Sequence, residues 1–418
     1  MSIIELLTLI FASLSLIIAL SYYMLLLLPE KRAKKTESYN SITIIIPARN
    51  EAPYIRQSIE SALRASWNGD KQIIVVDDGS IDDTRKIAES YNGIIVLSHS
   101  QRGKSASINR ALLESRGDLI AIVDGDSIIG QESLMHMKEE IEKKNVGGVT
   151  CTVQVHNRNK GICMWAHLEQ LQNSLIRLIF SKARAIITTP GPLAMYRKKA
   201  LTEVGGFSTE GFAEDADITI RLVRRGYDIR YAPKAYSKTN MPYDIKGFFR
   251  QRFRFARGML NLFKRHLRIG WHPIDYYAFP LLLFYYLQSV IMGSLTIYQI
   301  TTGYYEYFIS NGIIMDANAI GFLIGWFTLY GFFSWTIDVI IGASPLTIIS
   351  AIAIISSLLS YPLILIAIIK YDRKIDLYHI IPFFFLFPFW LLIMIIYILS
   401  IPEYFRKSQY NVWKKNEP

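Results

Sequence analysis

The sequence predicts an α/β domain with a mostly parallel sheet, joined to a domain of membrane-spanning α-helices. Three observations lead to this prediction. Apolar, β-favouring runs alternate with helical segments over residues 41–126, as in a doubly wound sheet. Residues 30–270 have the composition of an ordinary globular domain. In contrast, residues 3–28 and four stretches after residue 275 are long and almost uncharged, which accounts for the mean hydropathy of +0.22.

Local patterns predict each element of the α/β domain. Runs rich in Ile and Val, bounded by polar or glycine-containing turns, predict strands at 41–48, 72–78, 93–99, 118–126 and 147–156. Helices are predicted at 50–65, 104–115 and 218–225, with a short helix capped at 82–84. In such an open sheet, ligands bind beyond the carboxyl ends of the strands.

The segment Asp124-Gly125-Asp126 ends the strand predicted at 118–126, so both carboxylates would project into that crevice. Gly125 lets the backbone bend and keeps side-chain bulk away. Paired carboxylates with room for water suit Mg²⁺ or Mn²⁺, and such an ion suits a diphosphate. An isolated Asp-x-Asp more often only shapes a turn or caps a helix, so the site depends on the other motifs.

Two further segments lie at the same predicted rim. Asp77-Asp78 ends the second strand, which favours a nucleotide site with one carboxylate for the base or ribose and another for the metal. Lys104 follows Arg102 and Gly103 at a helix start, where backbone N–H groups and a cation can bind phosphate. Taken singly, such basic residues are usually solvated surface.

Glu214 and Asp215 precede the helix predicted at 218–225 and would lie near its positive end. Acidic residues there are usually caps, yet a carboxylate beside a metal–diphosphate site is also suited to act as a general base. The stretch 191–197 is predicted to be a loop, and its spacing alone indicates no chemistry.

Residues 244–268 carry eight basic residues against one acid and predict an amphipathic helix in the cytoplasmic membrane interface. The predicted apolar face consists of Ile245, Phe249, Phe253, Leu260, Phe263 and Leu267. Most of the charges are expected to contact lipid. Gln251 and Arg254 are three residues apart on one face and could reach the site, where arginine suits a diphosphate.

Together these segments resemble the membrane-embedded family 2 glycosyltransferases, which include the hyaluronan, chitin-oligosaccharide, cellulose and poly-N-acetylglucosamine synthases. The matching motifs are Asp77-Asp78-Gly79, Asp124-Gly125-Asp126, Gly191-Pro192 through Arg197, Glu214-Asp215, and Gln251-Arg252-Phe253-Arg254-Phe255. Their order and spacing over residues 40–270 make the resemblance specific. It implies a GT-A fold, with a Rossmann-like sheet, and inverting transfer from a UDP-sugar with Mg²⁺ or Mn²⁺.

The resemblance also implies a role for each motif. Residues expected to contact the donor are Pro47, Arg49, Glu51, Asp77, Asp78, Lys104, Asp124 and Gly125. Asp124 and Asp126 would hold the metal ion. Asp215, beside Glu214, would be the catalytic base, with Gln251 and Arg254 at the boundary between donor and acceptor. Residues expected to contact the acceptor are Gly191, Pro192 and Phe255.

One departure from the family concerns the acceptor. The family motif Gln-x-x-Arg-Trp ends here in Phe255, which keeps a ring for stacking but loses the indole N–H. The segment 191–197 is most like the hyaluronan and chitin-oligosaccharide branch and favours UDP-N-acetylglucosamine as donor. Two enzymatic functions stay open: processive synthesis and export of a β-linked polysaccharide, or single-sugar transfer to a polyprenyl-phosphate or other lipid acceptor. A non-catalytic scaffold would predict decayed acidic motifs, and none is missing.

Hydropathy and charge predict a multi-pass plasma-membrane protein. The predicted divisions are a transmembrane helix at 1–30, the catalytic domain at 38–240, the interface helix at 241–272, four spans within 273–402 and a basic tail at 403–418. The spans are predicted at 276–300, 319–341, 347–370 and 379–400. Positive flanks place the catalytic domain and C-terminus in the cytosol and the N-terminus outside. With five spans, however, Lys370, Arg373 and Lys374 fall in an outside loop, against the charge rule.

The net charge and the cysteine and histidine content indicate which kinds of ligand and partner the protein is expected to bind. A net charge of +11 beside membrane spans indicates anionic lipid or an anionic substrate rather than nucleic acid. The two cysteines, Cys151 and Cys163, are predicted to be free, and the seven histidines show no metal-ligand spacing. Nothing in the pattern indicates an oligomeric state.

Overall fold

The computed structural model describes residues 2–29, 34–372 and 374–405. Part of the basic segment 30–35, Arg373 and the tail from 406 to 418 lie outside the described residues. The predicted orientation of both termini therefore stays a prediction.

The catalytic part is built on a mixed eight-stranded sheet. Its strands are β1 Ser41–Ala48, β2 Asp70–Asp77, β3 Ile95–Ser98, β4 Leu119–Ile122, β5 Ser127–Ile129, β6 Val146–Val155, β7 Ala194–Arg197 and β8 Asp228–Thr239. Their order is β3-β2-β1-β4-β7-β6-β8-β5. The first four strands in this order are parallel, β6 and β8 are parallel, and β7 and β5 run antiparallel to their neighbours. The α/β prediction is confirmed.

Helices cover both faces of this sheet and continue into the membrane part. They are α1 Ile3–Leu27, α2 Ile55–Arg64, α3 Thr84–Glu89, α4 Lys104–Glu114, α5 Ser133–Ile141, α6 Cys163–Lys182, α7 Lys198–Glu203, α8 Glu214–Arg224, α9 Ile245–His266, α10 Phe279–Tyr307, α11 Ala317–Phe327, α12 Leu329–Ile340, α13 Ile348–Tyr371, α14 Leu377–Phe384 and α15 Leu386–Ser400. Ile44 and Ile46 of β1 face the core beneath α2 and α5, whereas Ile45 faces the core beneath α4 and α6. This alternation is the two-residue period of a strand covered on both sides.

Several predicted boundaries differ from the structure. The strand predicted at 118–126 ends at Ile122, and β5 is a separate strand paired with β8. The helix predicted from residue 50 begins at Ile55, because Asn50 takes a left-handed backbone conformation (φ 52°) that a right-handed helix excludes. The segment predicted as a loop, 191–197, contains the central strand β7, which is held by pairing with β4 and β6. The 20-residue helix α6 was not predicted from the sequence.

Among the described residues, four helical segments are long and apolar enough to cross a membrane: Ile3–Leu27, Ile274–Asn311, Ile348–Tyr371 and Leu386–Tyr404. The span predicted at 319–341 is instead the pair α11 and α12, bent by 92°. The bend lies at Thr328, whose extended backbone (φ −131°, ψ 162°) interrupts the helix. This pair is therefore a broken span or a re-entrant loop.

The turn after α13 lies against the catalytic domain. Arg158, in the loop after β6, forms ion pairs with Asp372 at 2.6 Å and with Asp376 at 2.7 Å. A turn on the far side of a membrane could not make these contacts. These contacts disagree with the prediction that Lys370 and Lys374 lie in an outside loop, whereas a position on the same side as the α/β domain would agree with the charge rule.

Candidate active site

The floor of the site is formed where the carboxyl ends of β1 and β4 meet. A Cβ atom on Gly125 would lie 3.2 Å from Glu51 Cγ and 3.3 Å from both the Ala48 Cβ and the Pro47 carbonyl oxygen. Arg49 and Glu51 are buried beside this contact, directly after β1. Three of the predicted donor-binding positions, Pro47, Glu51 and Gly125, are therefore neighbours, and a side chain at position 125 would press on the other two.

The two acidic residues that end β2 have different surroundings. The Asp78 carboxylate is fully buried and accepts hydrogen bonds from the backbone N–H groups of Arg102 (2.7 Å) and Gly103 (2.9 Å). It therefore fixes the loop that leads into α4 and has little capacity left for a ligand. Asp77 accepts from the Ser80 N–H at 3.3 Å, and is the better placed of the two to contact a nucleoside.

Lys104 lies at the centre of the site. Its Nζ atom is 2.5 Å from Asp124 Oδ1 and 3.3 Å from Glu214 Oε1. A Cβ atom on Gly191 would lie 2.4 Å from the same Nζ and 2.7 Å from Asp124 Oδ2. Lys104 thus brings the end of β4 and the start of α8 together, with the Gly191 backbone against both side chains.

The charges in this cluster shift one another's protonation. Burial lowers the pKa of Lys104, but the Asp124 and Glu214 carboxylates outweigh burial and raise it overall. For Glu214, burial raises the pKa, but the Lys104 and Arg254 cations, together with backbone hydrogen bonding, leave the pKa below its ordinary value. Arg254 is therefore electrostatically coupled to Glu214. At neutral pH this is a charged cluster with Lys104 protonated and Glu214 ionised.

Asp215 differs from its neighbour. Burial and the Glu214 charge raise the pKa of Asp215 to about 6, although Lys104 and hydrogen bonds from the Ala216 N–H (2.8 Å) and the Thr188 hydroxyl (3.2 Å) act in the opposite direction. The helix begins at Glu214 rather than at residue 218, because Ala213 is the last residue with non-helical backbone angles. A carboxylate with a pKa near neutrality is suited to accept a proton at physiological pH.

Asp126 lies on the side of the site nearest β8. Its carboxylate accepts a hydrogen bond from the Thr239 hydroxyl at 3.3 Å, and its backbone carbonyl accepts from the Asn240 side chain at 3.1 Å. Neither Thr239 nor Asn240 was singled out from the sequence, because their position beside Asp126 depends on the pairing of β5 with β8.

The residues at this rim fit a divalent cation. Asp124 and Asp126 supply hard carboxylate oxygens two residues apart, the ligand type that Mg²⁺ and Mn²⁺ prefer. The glycines at 125 and 191 leave a cradle that a Cβ atom would fill. Lys104 adds a cation at the same place, as an anionic ligand would require.

Helix α9 packs onto the start of α8. A Cβ atom on Gly258 would lie 3.2 Å from the Ala213 Cβ, and Arg254 lies one turn earlier on the same face. Gln251 donates a hydrogen bond to the Met241 sulfur at 3.5 Å, and its Oε1 atom is buried without a hydrogen-bond partner among the described residues. Arg254 of the predicted Gln-x-x-Arg pair is therefore near the acidic start of α8, whereas Gln251 contacts Met241.

A second contact fixes the two helices, and the sequence analysis missed it. Asp217 of α8 accepts hydrogen bonds from Arg221 Nε at 2.7 Å and from His266 Nε2 at 2.9 Å, at the far end of α9. The spacing of Asp217 and Arg221 was visible in the sequence, but their partner lies 49 residues away.

Other residues of the predicted motifs lie away from the cluster or in a different environment. Arg197 pairs with Glu37 and donates to the Ile141 carbonyl, so it supports the fold behind β7. Arg252, between Gln251 and Arg254, is buried in a bidentate ion pair with Glu169 of α6. Phe255 is 42% exposed, next to these cations.

The predicted apolar face of α9 is only partly packed against the rest of the protein. Ile245 and Leu267 are exposed, whereas Phe248, which was not assigned to that face, is fully buried. The reason is that α9 packs against α15 on one side, where Phe248 contacts Phe389, and does not bury a single continuous stripe.

Comparison with known proteins finds a family match over the part of the chain that holds the donor-side residues, from β1 to just beyond β7. Residues 43–205 match the sequence family described as glycosyl transferase family 2. The poly-beta-1,6-N-acetyl-D-glucosamine synthase of Staphylococcus aureus is 28% identical over 230 residues, which cover 53% of this chain and 55% of that protein. The chain thus spans about half the length of this curated relative.

Two other comparisons extend over more of the chain. The probable glycosyltransferase YdaM of Bacillus subtilis is 28% identical over 323 residues, 69% of this chain and 76% of that protein. The solved structure of the mannosyltransferase PcManGT from Pyrobaculum calidifontis, in complex with GDP-Man and Mn²⁺, superposes with a TM-score of 0.59. It covers 88% of this chain and 99% of that chain at 18% identity, and therefore shows the same fold.

Proposed function

We propose that the chain is a family 2 glycosyltransferase that transfers a sugar from a UDP-sugar to the growing end of a β-linked polysaccharide. The observation that supports this most directly is Lys104, whose Nζ lies within 3.3 Å of both Asp124 and Glu214. This supports a position of the proposed donor carboxylate Asp124 near Glu214, the chain neighbour of the proposed base Asp215. Such a juxtaposition is what transfer from a nucleotide-linked sugar requires.

The proposed reaction is a single in-line displacement. The acceptor hydroxyl oxygen forms a bond to the anomeric carbon while the bond from that carbon to the donor phosphate oxygen breaks, and UDP leaves. The hydroxyl proton passes to the Asp215 carboxylate, whose pKa of about 6 leaves it ionised at neutral pH. One displacement inverts the anomeric centre, so an α-linked donor gives a β-linked product.

The basic residues of the site are also proposed to stabilise the diphosphate leaving group. Negative charge develops on the departing diphosphate, and Lys104 and Arg254 are cations that interact with the acidic cluster. Asp124 and Asp126 would hold Mg²⁺ or Mn²⁺, which when bound neutralises charge on the diphosphate. Pre-positioned charges of this kind are usually the largest electrostatic contribution to transfer.

The donor and acceptor are proposed from the relatives and from α9. The similarity to a poly-beta-1,6-N-acetyl-D-glucosamine synthase favours UDP-N-acetylglucosamine as the donor. Gly191, Pro192 and Phe255 would contact the acceptor, and the half-exposed Phe255 ring offers a stacking surface for a sugar. The apolar helices beside the site are proposed to pass the polymer out of the cytosol.

A second candidate is transfer of one sugar to a polyprenyl-phosphate or other lipid acceptor. Phe255 is the observation that favours it, because phenylalanine lacks the indole N–H with which the family's tryptophan can hold a polysaccharide. The two functions share the same donor site and differ only in what occupies the acceptor side.

Purified full-length protein in lipid nanodiscs would be incubated with a panel of radiolabelled UDP-sugars and Mn²⁺. Release of UDP with labelled product longer than one sugar is expected, and Asp215→Asn should abolish it while retaining donor binding. Asp83→Asn, at an exposed ion pair with Lys86, is the matched control. Product of one sugar only would establish the second candidate, and undiminished turnover in Asp215→Asn would exclude Asp215 as the base.

A further inference from the structure

We infer that the turn between α13 and α14 positions the cation-binding end of the donor site, acting through Arg158. This inference rests on the proposed function, because it assigns the turn a role in holding Asp126 and its neighbours. The residues involved are Arg158 and His167 on the catalytic domain and Asp372, Asp376 and His379 on the membrane part.

The connection is a compact network centred on Asp372. One of its carboxylate oxygens, Oδ2, accepts hydrogen bonds from Arg158 at 2.6 Å, from His379 Nε2 at 2.9 Å and from His167 Nε2 at 3.0 Å. The other arm of the Arg158 guanidinium donates to Asp376 at 2.7 Å. Both histidines are almost completely buried. The turn is thus fixed to the catalytic domain by charged hydrogen bonds on a forked side chain.

Two histidines and an aspartate are also a metal-ligand set by residue type, but their hydrogen bonds indicate another role. The Val155 N–H donates to His167 Nδ1 at 3.2 Å, so that nitrogen carries no proton and Nε2 carries it. A protonated Nε2 can donate to Asp372 but cannot bind a metal. Metal-binding histidines normally donate from the second nitrogen, and here that nitrogen accepts. The guanidinium of Arg158 occupies the same carboxylate oxygen.

The same loop of the catalytic domain leads directly to the donor site. Asn157, next to Arg158, exchanges two hydrogen bonds with the Met241 backbone, at 2.7 Å and 2.9 Å. Met241 follows Asn240, whose side chain donates to the Asp126 carbonyl at 3.1 Å. Met241 also accepts the Gln251 hydrogen bond through its sulfur. One loop therefore connects the membrane turn to both the cation-binding residue and the α9 motif.

The last turn of α13 is held on the same surface. Gln154 donates to the Tyr371 carbonyl at 2.9 Å, and the Tyr371 hydroxyl donates to the Ser174 carbonyl of α6 at 3.2 Å. Polar contacts thus secure the end of an apolar helix on both β6 and α6. Partly buried ion pairs add little net stability but fix one geometry, which is the property expected of a positioning element.

The consequence concerns cation affinity. With the turn in place, the loop at 156–160 is held from outside the catalytic domain, and Asn157 holds Met241 and Asn240 against Asp126. Without the turn between α13 and α14, the loop at 156–160 contacts only residues of the catalytic domain itself. Arg158, Asp372 and Asp376 are therefore positioning residues and make no contact with the reacting atoms.

The test is binding of Mn²⁺ and UDP, measured by calorimetry on the full chain in nanodiscs. Asp372→Asn and Arg158→Ala should each raise the Mn²⁺ dissociation constant in the presence of UDP about tenfold, the lower end of the range for residues that support metal ligands. The double variant should bind Mn²⁺ no more weakly than either single variant, because both substitutions remove the same Arg158–Asp372 contact. A merely structural role would lower the fraction of folded protein. That fraction changes the number of binding sites in the titration but not the dissociation constant.

Arg184→Ala is the matched control, since Arg184 forms an exposed ion pair with Asp228 away from the site; its Mn²⁺ affinity should equal that of the wild type. If Asp372→Asn does not fold, Asp376→Asn removes one arm of the fork and should give a smaller increase. Unchanged Mn²⁺ affinity in the folded variants, with loss in Asp126→Ala, overturns the inference and leaves the proposed function standing. Failure of the wild type to bind any UDP-sugar overturns the proposed function itself.

Discussion

Gly258 of α9 packs directly against Ala213, the residue that precedes the acidic start of α8. A Cβ atom on Gly258 would lie 3.2 Å from the Ala213 Cβ and 3.3 Å from the Phe212 carbonyl oxygen. Because residues 254 and 258 share one helix face, this contact sets how close Arg254 comes to Glu214. The distance between the proposed base, Asp215, and Arg254, which is proposed to bind the diphosphate, therefore depends on position 258 having no side chain.

Gly258→Val should separate the two helices. The added methyl groups overlap Ala213 and the Phe212 carbonyl, and overpacking of this kind costs about 1–3 kcal/mol of folding free energy. We expect turnover to fall at least about tenfold, equivalent to about 1.4 kcal/mol in the barrier, because Arg254 moves away from the diphosphate. Gly321→Val, where a Cβ atom meets nothing within 4 Å, is the control for helix propensity. Equal turnover in the two variants would contradict the assigned contact.

The pH dependence of the reaction should report Asp215. A base must be ionised to accept a proton, so kcat/KM should be level above about pH 7, reach half of that level near the pKa of about 6, and fall towards a tenfold loss per pH unit below it. Thr188→Val removes a hydrogen bond that stabilises the ionised form, so the acid limb should move to higher pH. A limb that is unmoved by Thr188→Val and still present in Asp215→Asn would assign the titration to another group.

Lys104→Met should weaken donor binding. The substitution keeps most of the side-chain volume but removes the cation between Asp124 and Glu214, which leaves two carboxylates facing the diphosphate. We expect the KM for the UDP-sugar to rise about tenfold or more, since a charge-assisted contact is worth about 1.5–3 kcal/mol. Lys86→Met, at an exposed surface ion pair, should leave the KM unchanged. Normal donor affinity in Lys104→Met would show that Lys104 serves only to hold the two acidic segments together.

Removal of the divalent cation should abolish donor binding, and Mn²⁺ should restore it. Asp126→Ala should weaken Mn²⁺-dependent UDP binding, because it removes one of the two carboxylates proposed to hold the cation. Calorimetric titration of UDP with and without Mn²⁺ measures both effects. Undiminished UDP binding in the presence of a chelator would mean that Lys104 and Arg254 suffice for the diphosphate.

The Asp217 contact should make stability depend on pH in the acid range. Burial raises the pKa of Asp217, but hydrogen bonding to His266 and the neighbouring arginines outweigh burial and lower it overall. A carboxylate with a lowered folded-state pKa stabilises the protein above its unfolded pKa of about 3.9, and this contribution is lost as pH falls through the folded pKa. Asp217→Asn should therefore lower Tm at pH 7 and have a smaller effect below pH 4. A Tm difference that is constant with pH would contradict this assignment, and Asp83→Asn provides an exposed control.

The sequence by itself determined the local features of the site. The boundaries of β1 were predicted as observed, and Lys104 begins α4 as predicted. The acidic ends of β2 and β4 lie at the carboxyl ends of parallel strands, which is a consequence of alternating strands and helices. Periodicity, caps and turn residues act over a few positions, so they can be read without knowing the rest of the fold.

Tertiary structure decided what depends on distant partners. The strand β7 exists because β4 and β6 lie on either side of it, and four residues carry too little periodicity to predict it. Asp77 and Asp78 have the same side chain. Only the packing of the loop at 102–103 shows that the oxygens of Asp78 accept hydrogen bonds from the backbone of that loop.

The contact between the catalytic domain and the turn after α13 is the clearest example of a feature that the sequence does not predict. His167 and His379 show no metal-like spacing in the sequence, and Arg158 lies more than 200 residues before its partners. Hydropathy treated the bent pair α11 and α12 as one straight span and assigned the turn after α13 to an outside loop, although this turn contacts Arg158 of the α/β domain. Pairing across such distances is set by the whole packing of the chain, and a pattern that spans only neighbouring residues contains no information about it.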